Sequence, residues 1–233
     1  MWTISLMHRL FLAAILCSVT VFASAQQQDN SALRDSLSTL IRSIDKDPGN
    51  LELRLRKASL NVLLEQYDYA LEEYDRILKT EENNPAALFY RAYVHEKMNN
   101  LPFARKDYET LIKSFPRHFE ANLGLAILAE KEKHFTEALD RINMLVMQFP
   151  DSAVAYAARG NMELSRGMFN AALYDFDEAV NRDGNNLDYR LGRVEALLGM
   201  EERKKAKEEL DEILTLGVAK PQLADYYRRC RLK

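Results

Sequence analysis

The feature that most constrains this chain of 233 residues is an alanine that returns every 34 residues. It stands at Ala70, Ala104, Ala138, Ala172 and Ala206. Four residues after each of these alanines stands a large apolar residue, and twelve residues before each stands a small or modest one. A fixed period of this length predicts an array of similar units, each of which buries its apolar face only against its neighbours.

Within one period, the spacing fits two helices of about 14 residues each, joined by short turns. We call the residues that recur at one position of the period a column. The column of small residues and the column of alanines allow two antiparallel helices to approach closely, and the large apolar residue fills the space beside them. Turn signals separate the units at residues 47–50, 83–85, 115–116, 149–151 and 183–186. With only 8 Gly and 6 Pro, the chain has little room for a fold rich in β-hairpins. We therefore predict an all-α protein.

The predicted organisation begins with a signal peptide over 1–25 and a polar linker with a capping helix over 26–50. Five helical repeats follow over 51–220, and a C-terminal capping helix completes the chain over 221–233. The repeats are predicted at 51–84, 85–118, 119–152, 153–186 and 187–220. Caps are expected at both ends because an uncovered end of such an array would expose its core.

The N-terminal segment has the pattern of an export signal. Residues 10–22 form an uncharged apolar run, and a small-x-small motif that ends at Ala25 follows it. The run is shorter than the roughly 20 residues that a transmembrane helix needs. Leu16 precedes Cys17 within the run, which speaks against lipidation at that cysteine. We expect cleavage after Ala25, no stable membrane insertion afterwards, and a periplasmic or envelope-associated location.

The 34-residue period, the small-residue and alanine columns and the prolines of the turns resemble the tetratricopeptide repeat. Segments 156–160 (YAARG) and 172–179 (ALYDFDEA) are especially similar to its consensus. The chain thus resembles an exported bacterial member of that family. The resemblance implies a right-handed superhelical solenoid of antiparallel helix pairs, whose first helices line a concave groove. In the family, this groove usually holds a peptide or a partner's helix.

Two further columns place a base seven residues into a unit and an acid sixteen residues later. The pairs are Lys57 with Glu73, Arg91 with Asp107, Arg159 with Asp175 and Arg193 with Glu209. The third unit carries Leu125 and Arg141 instead. We predict charge pairs between the two helices of a unit, exposed and worth roughly 0–1 kcal/mol each. The third unit would then be held together more weakly.

The resemblance also implies where a partner would bind. Carrying the groove-facing positions of the family onto this chain gives Arg56, Phe89, Tyr90, Tyr93, Leu123, Ile127 and Asn161 as candidate partner-binding residues. Gly124, Ala157 and Ala158 are expected to leave open floor between them. The family's carboxylate clamp of Lys, Asn and Arg is absent. Such a surface suits an apolar or amphipathic segment. The alternative is that Phe89 and Tyr93 only pack against the neighbouring unit.

Other classes of function find little support. A net charge of −3 argues against a nucleic-acid partner, which normally meets a basic face. The three histidines after residue 25 stand at 95, 118 and 134, without the spacing of metal ligands. We expect no catalytic residue, no metal and no cofactor. His95 is expected to pack in the helix pair. The arginines around Cys230 favour a lower pKa of its thiol, but no histidine lies nearby in the sequence, so a reactive thiol is not expected.

The sequence therefore predicts a non-catalytic protein–protein interaction scaffold of the cell envelope, which binds a peptide or a partner's helix in its concave groove. Two alternatives stay open. One is a structural subunit of an envelope complex that docks by its convex face or its caps. The other is a glycan-binding module in which Phe89, Tyr90 and Tyr93 stack on sugar rings.

Overall fold

The computed structural model describes residues 30–231, and every regular element in that part of the chain is a helix. Helix α1 covers residues 30–46. The others are α2 (Leu51–Leu63), α3 (Tyr67–Thr80), α4 (Pro85–Lys97), α5 (Leu101–Ser114), α6 (Phe119–Lys131), α7 (Phe135–Gln148), α8 (Ala153–Ser165), α9 (Phe169–Arg182), α10 (Leu187–Gly199), α11 (Arg203–Thr215), a 3-10 turn (Lys220–Leu223) and α12 (Ala224–Arg231). The prediction of an all-α solenoid of helix pairs is confirmed. The predicted signal peptide lies outside the described residues.

The first helices of successive pairs begin 34 residues apart, and a capping side chain precedes each of them. The capping residues are Asn50, Asn84, His118, Ser152 and Asn186. Each accepts a hydrogen bond from a backbone N–H of the first turn, one of the donors that the start of a helix leaves without a partner inside the helix. The turn chemistry of the sequence therefore fixes where the first helices start.

The turn inside each pair is also repeated. It contains one residue in the left-handed region, with φ between 58° and 70°, at Glu65, Asn99, Lys133, Gly167 and Glu201. Gly and Asn tolerate this conformation well, whereas Glu and Lys adopt it at a cost of about 1 kcal/mol. Packing of the two helices therefore imposes the tight turn even where the local sequence does not favour it.

The described residues form two compact units, divided between Thr110 and Leu111, inside α5. The core of the first unit includes Ala58, Ala70, Tyr74, Ile77 and Val94. The second unit has several apolar clusters, and the last of them contains Leu210, Ile213, Leu223 and Tyr227. In that cluster, α12 covers the apolar side of α11, and Tyr227 Oη donates a hydrogen bond to Asp211 at 2.7 Å.

The alanine column works as the sequence predicts, because all five alanines are fully buried and so are the large residues four positions later. In the second unit, Phe176 fills the space between α8 and α10. A methyl group added at Gly192 would lie 2.2 Å from this ring, so the glycine makes room for it. The expectation of open floor is wrong for Gly124 and Ala157, because both are buried and Ala157 packs in the cluster around Phe176. Ala158 is half-buried and lines a small recess.

Between residues 30 and 231, no helix combines the length and the apolar character that crossing a membrane requires.

Candidate functional site

A groove of about 900 Å³ opens in the first unit between α1, α2 and α4. We call it the N-terminal groove. Its apolar lining comes from Leu40, Leu53, Leu55, Leu60 and Tyr90. Its charged lining comes from Asp35, Glu52 and Arg56. It therefore combines a largely apolar wall with a few polar groups, as sites for peptides and small ligands usually do.

Tyr90 is the aromatic anchor of this groove. Its ring stacks on the buried ring of Tyr74, with centroids 6.4 Å apart and planes at 14°. Phe89 meets the Tyr90 ring edge-on at 5.1 Å and also lies 6.0 Å from Tyr108. These contacts hold Tyr90 in place while 43% of its surface stays exposed. A rigid and partly open aromatic ring is a typical anchor for a bound segment.

Several hydroxyl groups line the groove and offer oxygens that can accept hydrogen bonds. Ser36, Thr39, Ser43 and Ser59 all line it. Each hydroxyl donates its hydrogen to a backbone carbonyl one turn earlier in its own helix, at 2.9 to 3.2 Å. Thr39 also accepts a hydrogen bond from Arg42 at 3.1 Å, and the oxygen lone pairs of Ser36 and Ser43 remain to accept hydrogen bonds. Arg56 is paired with Glu52 at 3.0 Å, so the third charged group, Asp35, gives the lining an excess of negative charge.

The structure places the candidate residues in several environments. Arg56 and Tyr90 lie together in the N-terminal groove. Tyr93 is exposed on α4, where Lys97 Nζ lies 5.1 Å above its ring, and Phe89 is half-buried by the aromatic contacts above. In the second unit, Ile127 and Asn161 line a recess of about 280 Å³ between α6 and α8. Leu123 is half-buried against the core.

The sequence reasoning missed the contribution of α1, which supplies one wall of the N-terminal groove. Its hydroxyl residues at 36, 39 and 43 recur at helical spacing, which places them on one face. The repeat pattern predicts only a capping role for α1 and gives no role to this polar face.

The predicted charge pairs inside the helix pairs are confirmed. Arg91 donates two hydrogen bonds to Asp107 at 2.6 and 2.7 Å, and Arg159 does the same to Asp175. Lys57 lies 2.7 Å from Glu73, and Arg193 lies 3.3 Å from Glu209. The expectation that these pairs are exposed is wrong, because the four acids are only 1% to 4% exposed. A buried carboxylate depends on its cation far more than a surface one does.

The third helix pair lacks such an ion pair, as expected from its sequence. Leu125 is fully buried at the position of the base. Arg141, at the position of the acid, pairs instead with Glu137 of its own helix at 2.7 Å. An apolar side chain can therefore occupy the same place in this fold.

A further carboxyl lies beside one of these pairs. Glu163 on α8 is 8% exposed, and its Oε2 has no hydrogen-bond partner within the part of the chain that the structure describes. Burial, together with the negative charge of Asp175, raises the pKa of Glu163 to about 7, against the opposing effect of Arg159 and Arg166. Glu163 therefore keeps its proton to a higher pH than an ordinary glutamate does.

The remaining reactive side chains have structural surroundings. His95 packs against the Phe103 ring at 5.3 Å, which confirms the predicted packing role, and burial lowers its pKa. Burial raises the pKa of Cys230, which outweighs the opposite effect of Arg229, so the expected lowering is wrong. Over residues 30–231, no three His, Cys, Asp or Glu side chains are grouped so as to hold a metal ion.

Comparison with known proteins places this geometry among helical repeats. The family model described as "Tetratricopeptide repeat" matches residues 91–153. The human mitochondrial import receptor subunit TOM70 is 24% identical over 197 residues, which cover 80% of this chain and 32% of that protein. The chain thus spans about a third of the length of this curated relative.

Solved structures share the fold at low sequence identity. A tetratricopeptide repeat protein from Parabacteroides merdae has a TM-score of 0.68 and 19% identity, covering 88% of this chain and 80% of that one. YrrB, described as a TPR protein with an unusual peptide-binding site, has a TM-score of 0.55 and 19% identity, covering 76% and 91%. Residues 91–153 thus match the tetratricopeptide repeat, and the solved structures share the helix-pair fold of the described residues.

Proposed function

We propose that this protein is a non-catalytic protein–protein interaction scaffold that binds a peptide or a partner's helix in the N-terminal groove. The observation that carries the proposal is the open ring of Tyr90, held by Tyr74 and Phe89 at the edge of a largely apolar groove. The fold supports an interaction role. A peptide-binding site in YrrB and a receptor role for TOM70, as their descriptions state, are consistent with it.

The chemistry of the groove narrows the type of segment. Leucines and Tyr90 favour apolar side chains, and the hydroxyl oxygens of α1 accept hydrogen bonds. Asp35 adds a negative charge that is left over after Glu52 and Arg56 pair. We therefore expect an apolar or amphipathic segment that carries a basic residue near one end. The recess at Ile127 and Asn161 is proposed as a second contact region of the same kind.

Replacing Tyr90 by Ala should weaken partner binding at least tenfold, because a partly buried aromatic anchor often contributes about 2 kcal/mol or more to an interface. A photo-crosslinking amino acid at position 56, in the groove, would first capture the partner in the native host. Calorimetry then measures the affinity of the captured partner for the wild type and for the Tyr90→Ala variant. The thermal unfolding of both is recorded in parallel.

Tyr69→Ala is the matched control, because Tyr69 is an exposed tyrosine on α3 that does not line the groove. It should bind the partner normally. If Tyr90→Ala and Tyr69→Ala bind equally well, the N-terminal groove is not the binding site. If Tyr90→Ala unfolds at a much lower temperature, the ring serves the fold and the proposal loses its main support.

We also propose that the protein acts outside the cytoplasm, in the periplasm or associated with the envelope. The support is the sequence pattern of residues 1–25. N-terminal sequencing of the protein from its native host should give a chain that starts at Gln26. A start at Met1, or an acylated Cys17, would contradict this localisation.

A further inference from the structure

The α1 wall of the N-terminal groove has the register of the second helix of a pair. Counted by the 34-residue period, its groove residues Ser36, Leu40 and Ser43 correspond to Ala70, Tyr74 and Ile77 of α3. In α3, all three side chains are fully buried and pack in one cluster with residues of α2, the first helix of that pair. In α1, the corresponding serine at the alanine position is exposed, and the other two residues are only half-buried. The face of α1 that borders the groove is therefore the face that a first helix covers in a complete pair.

The α2 wall of the groove gives the same result. Leu53 and Leu60 line the groove and are half-buried. At these two positions, the next three first helices carry Ala87 and Val94, Ala121 and Leu128, and Ala155 and Met162, all of which are buried. The two residues of α4 pack in the cluster formed with α2 and α3. Both walls thus present, to one space, the surfaces that a first helix covers elsewhere in the array.

The residues before α1 do not turn back in the way that the pairs do. In each of the five pairs, the turn between the two helices contains one residue in the left-handed region. The position that corresponds to this residue is Ser31, which lies inside α1. The helix therefore continues through the point at which the chain of a pair reverses. This favours a helix from another molecule as the occupant of the groove.

We infer that the N-terminal groove binds one amphipathic helix of a partner protein, which takes the place that a first helix has in the pairs. The inference rests on the proposed function and specifies the form and direction of the bound segment. The helix lies antiparallel to α1 and parallel to α2, as a first helix does. The first helices of this chain have 13 residues each, so a helix of that length fits the site.

The groove can be covered by a helix without leaving polar groups unpaired. The hydroxyls of Ser36 and Ser43 donate to carbonyls of α1 itself, at 2.9 and 3.2 Å. Burying them therefore leaves no hydroxyl hydrogen without an acceptor. A small side chain at the position of Ser36 lets a second helix approach closely, as alanine does in the pairs. The bound helix satisfies its own backbone groups and contacts Leu40, Leu53 and Leu60 through its apolar side chains.

The charge of Asp35 sets the direction of the helix. Its position corresponds to that of Phe103 on α5, which packs against His95 in the last turn of α4, with ring centroids 5.3 Å apart. A helix that packs on α1 as α4 packs on α5 brings its last turn to Asp35. A lysine or arginine in that turn pairs with the carboxylate and also interacts favourably with the C-terminal end of the helix dipole. The partner helix is therefore expected to carry its basic residue in its last turn.

A synthetic peptide of residues 118–132 of this chain is a suitable probe, because it contains a first helix, α6. Its Leu125 stands where other first helices carry a base, and α1 has the neutral Thr39 where the paired second helices carry the acid. Calorimetry measures its affinity for the full-length protein in the processed form that the cell yields. Circular dichroism of the mixture should show more helix than the two components do separately. A probe that does not bind, or that gains no helix on binding, overturns the inference.

Ser43→Leu distinguishes a helix from an extended segment. It gives α1 an apolar residue at the position of Ile77, so it should strengthen the binding of the helical probe several-fold. An extended segment that donates to the Ser43 hydroxyl would bind more weakly instead. Ser38→Leu is the matched control, because Ser38 is exposed on α1 and does not line the groove, and it should leave the affinity unchanged. Equal or weaker binding to Ser43→Leu overturns the helical mode, whereas Tyr90→Ala with the captured partner tests the groove itself.

A charge exchange tests the direction of the bound helix. Ala129 of the probe corresponds to His95, so the probe with Ala129→Lys should bind the wild type several-fold more tightly than the probe with Ala129→Glu. The Asp35→Lys protein should reverse this preference. If both probes bind equally well to both proteins, the proposed direction is wrong. The thermal unfolding of all protein variants should match that of the wild type.

Two other occupants are outcomes of the same measurements. A peptide of residues 17–29, which the period places at the first-helix position before α1, should bind more weakly than the α6 probe. Tighter binding of that peptide would assign the groove to the chain's own segment and overturn the inference. A protein that forms dimers by itself, which the α6 probe then dissociates, would assign the groove to a second copy and overturn it too.

Discussion

Replacing Arg159 by Leu is expected to lower the free energy of unfolding of the second unit by about 3 kcal/mol or more. Asp175 is 1% exposed and accepts two hydrogen bonds from this guanidinium, at 2.6 and 2.7 Å. Without Arg159, a buried negative charge loses its main cation. Leucine is a suitable replacement because Leu125 occupies the equivalent position in the third pair. Chemical denaturation at pH 7 measures the effect.

A double-mutant cycle separates the charge from the packing. Asp175→Ala in the Arg159→Leu background removes the orphaned charge, so the double variant should be more stable than the sum of the single losses predicts, by about 2 kcal/mol. Glu208→Ala is the control, because the Lys204–Glu208 pair spans 3.9 Å at the surface and should contribute less than about 0.5 kcal/mol. Additive single losses would show that Arg159 and Asp175 do not interact in solution.

The sequence was sufficient to predict the four repeated base–acid pairs, but not how strongly they hold. It also missed a second base on two of the acids, Arg54 on Glu73 and Arg190 on Glu209, each at 2.8 Å. Sixteen residues separate Arg159 from Asp175, and the same spacing in four units revealed the column. Residue identity alone does not show exposure, which depends on how closely the two helices approach. The alanine column brings them close enough to exclude water from the acids. A charge pair that would be weak at the surface thereby becomes an important contact of the helix pair.

The residues that line the candidate groove were harder to predict than the fold. Positions carried over from the resemblance correctly brought Arg56 and Tyr90 into one groove, since both project from first helices. They missed the wall from α1, because that helix lies before the first repeat and has no equivalent position in it. They also misplaced Gly124 and Ala157, which are buried rather than open to the groove. Small residues in a helix indicate that another segment packs closely against it. They do not show whether that segment is a bound partner or a neighbouring helix of the same chain.

Glu163→Gln is expected to stabilise the protein in a way that depends on pH. Burial and the charge of Asp175 raise the pKa of Glu163 from 4.5 to about 7 in the folded state. Below pH 4.5, the carboxyl is protonated in both states, so wild type and variant should differ little. Between pH 4.5 and 7, the unfolded chain releases the proton while the folded chain keeps it, and the wild type loses stability as the pH rises. The neutral amide of the variant resembles the protonated acid and avoids this loss.

The gain from Glu163→Gln should therefore grow from near zero at pH 4 to about 3 kcal/mol above pH 7. Denaturation curves of both proteins at several pH values give the difference directly, which removes the contribution of every other titrating group. Glu208→Gln, a change at an exposed acid on α11, is the matched control and should show a small difference at each pH. A gain of the same size at pH 4 and pH 8 would contradict the mechanism, since it would mean that the amide packs better rather than that the buried charge is costly. A loss of stability at high pH would mean that the ionised carboxylate of Glu163 is held by Arg159 or Arg166, with the proton already released in the folded state.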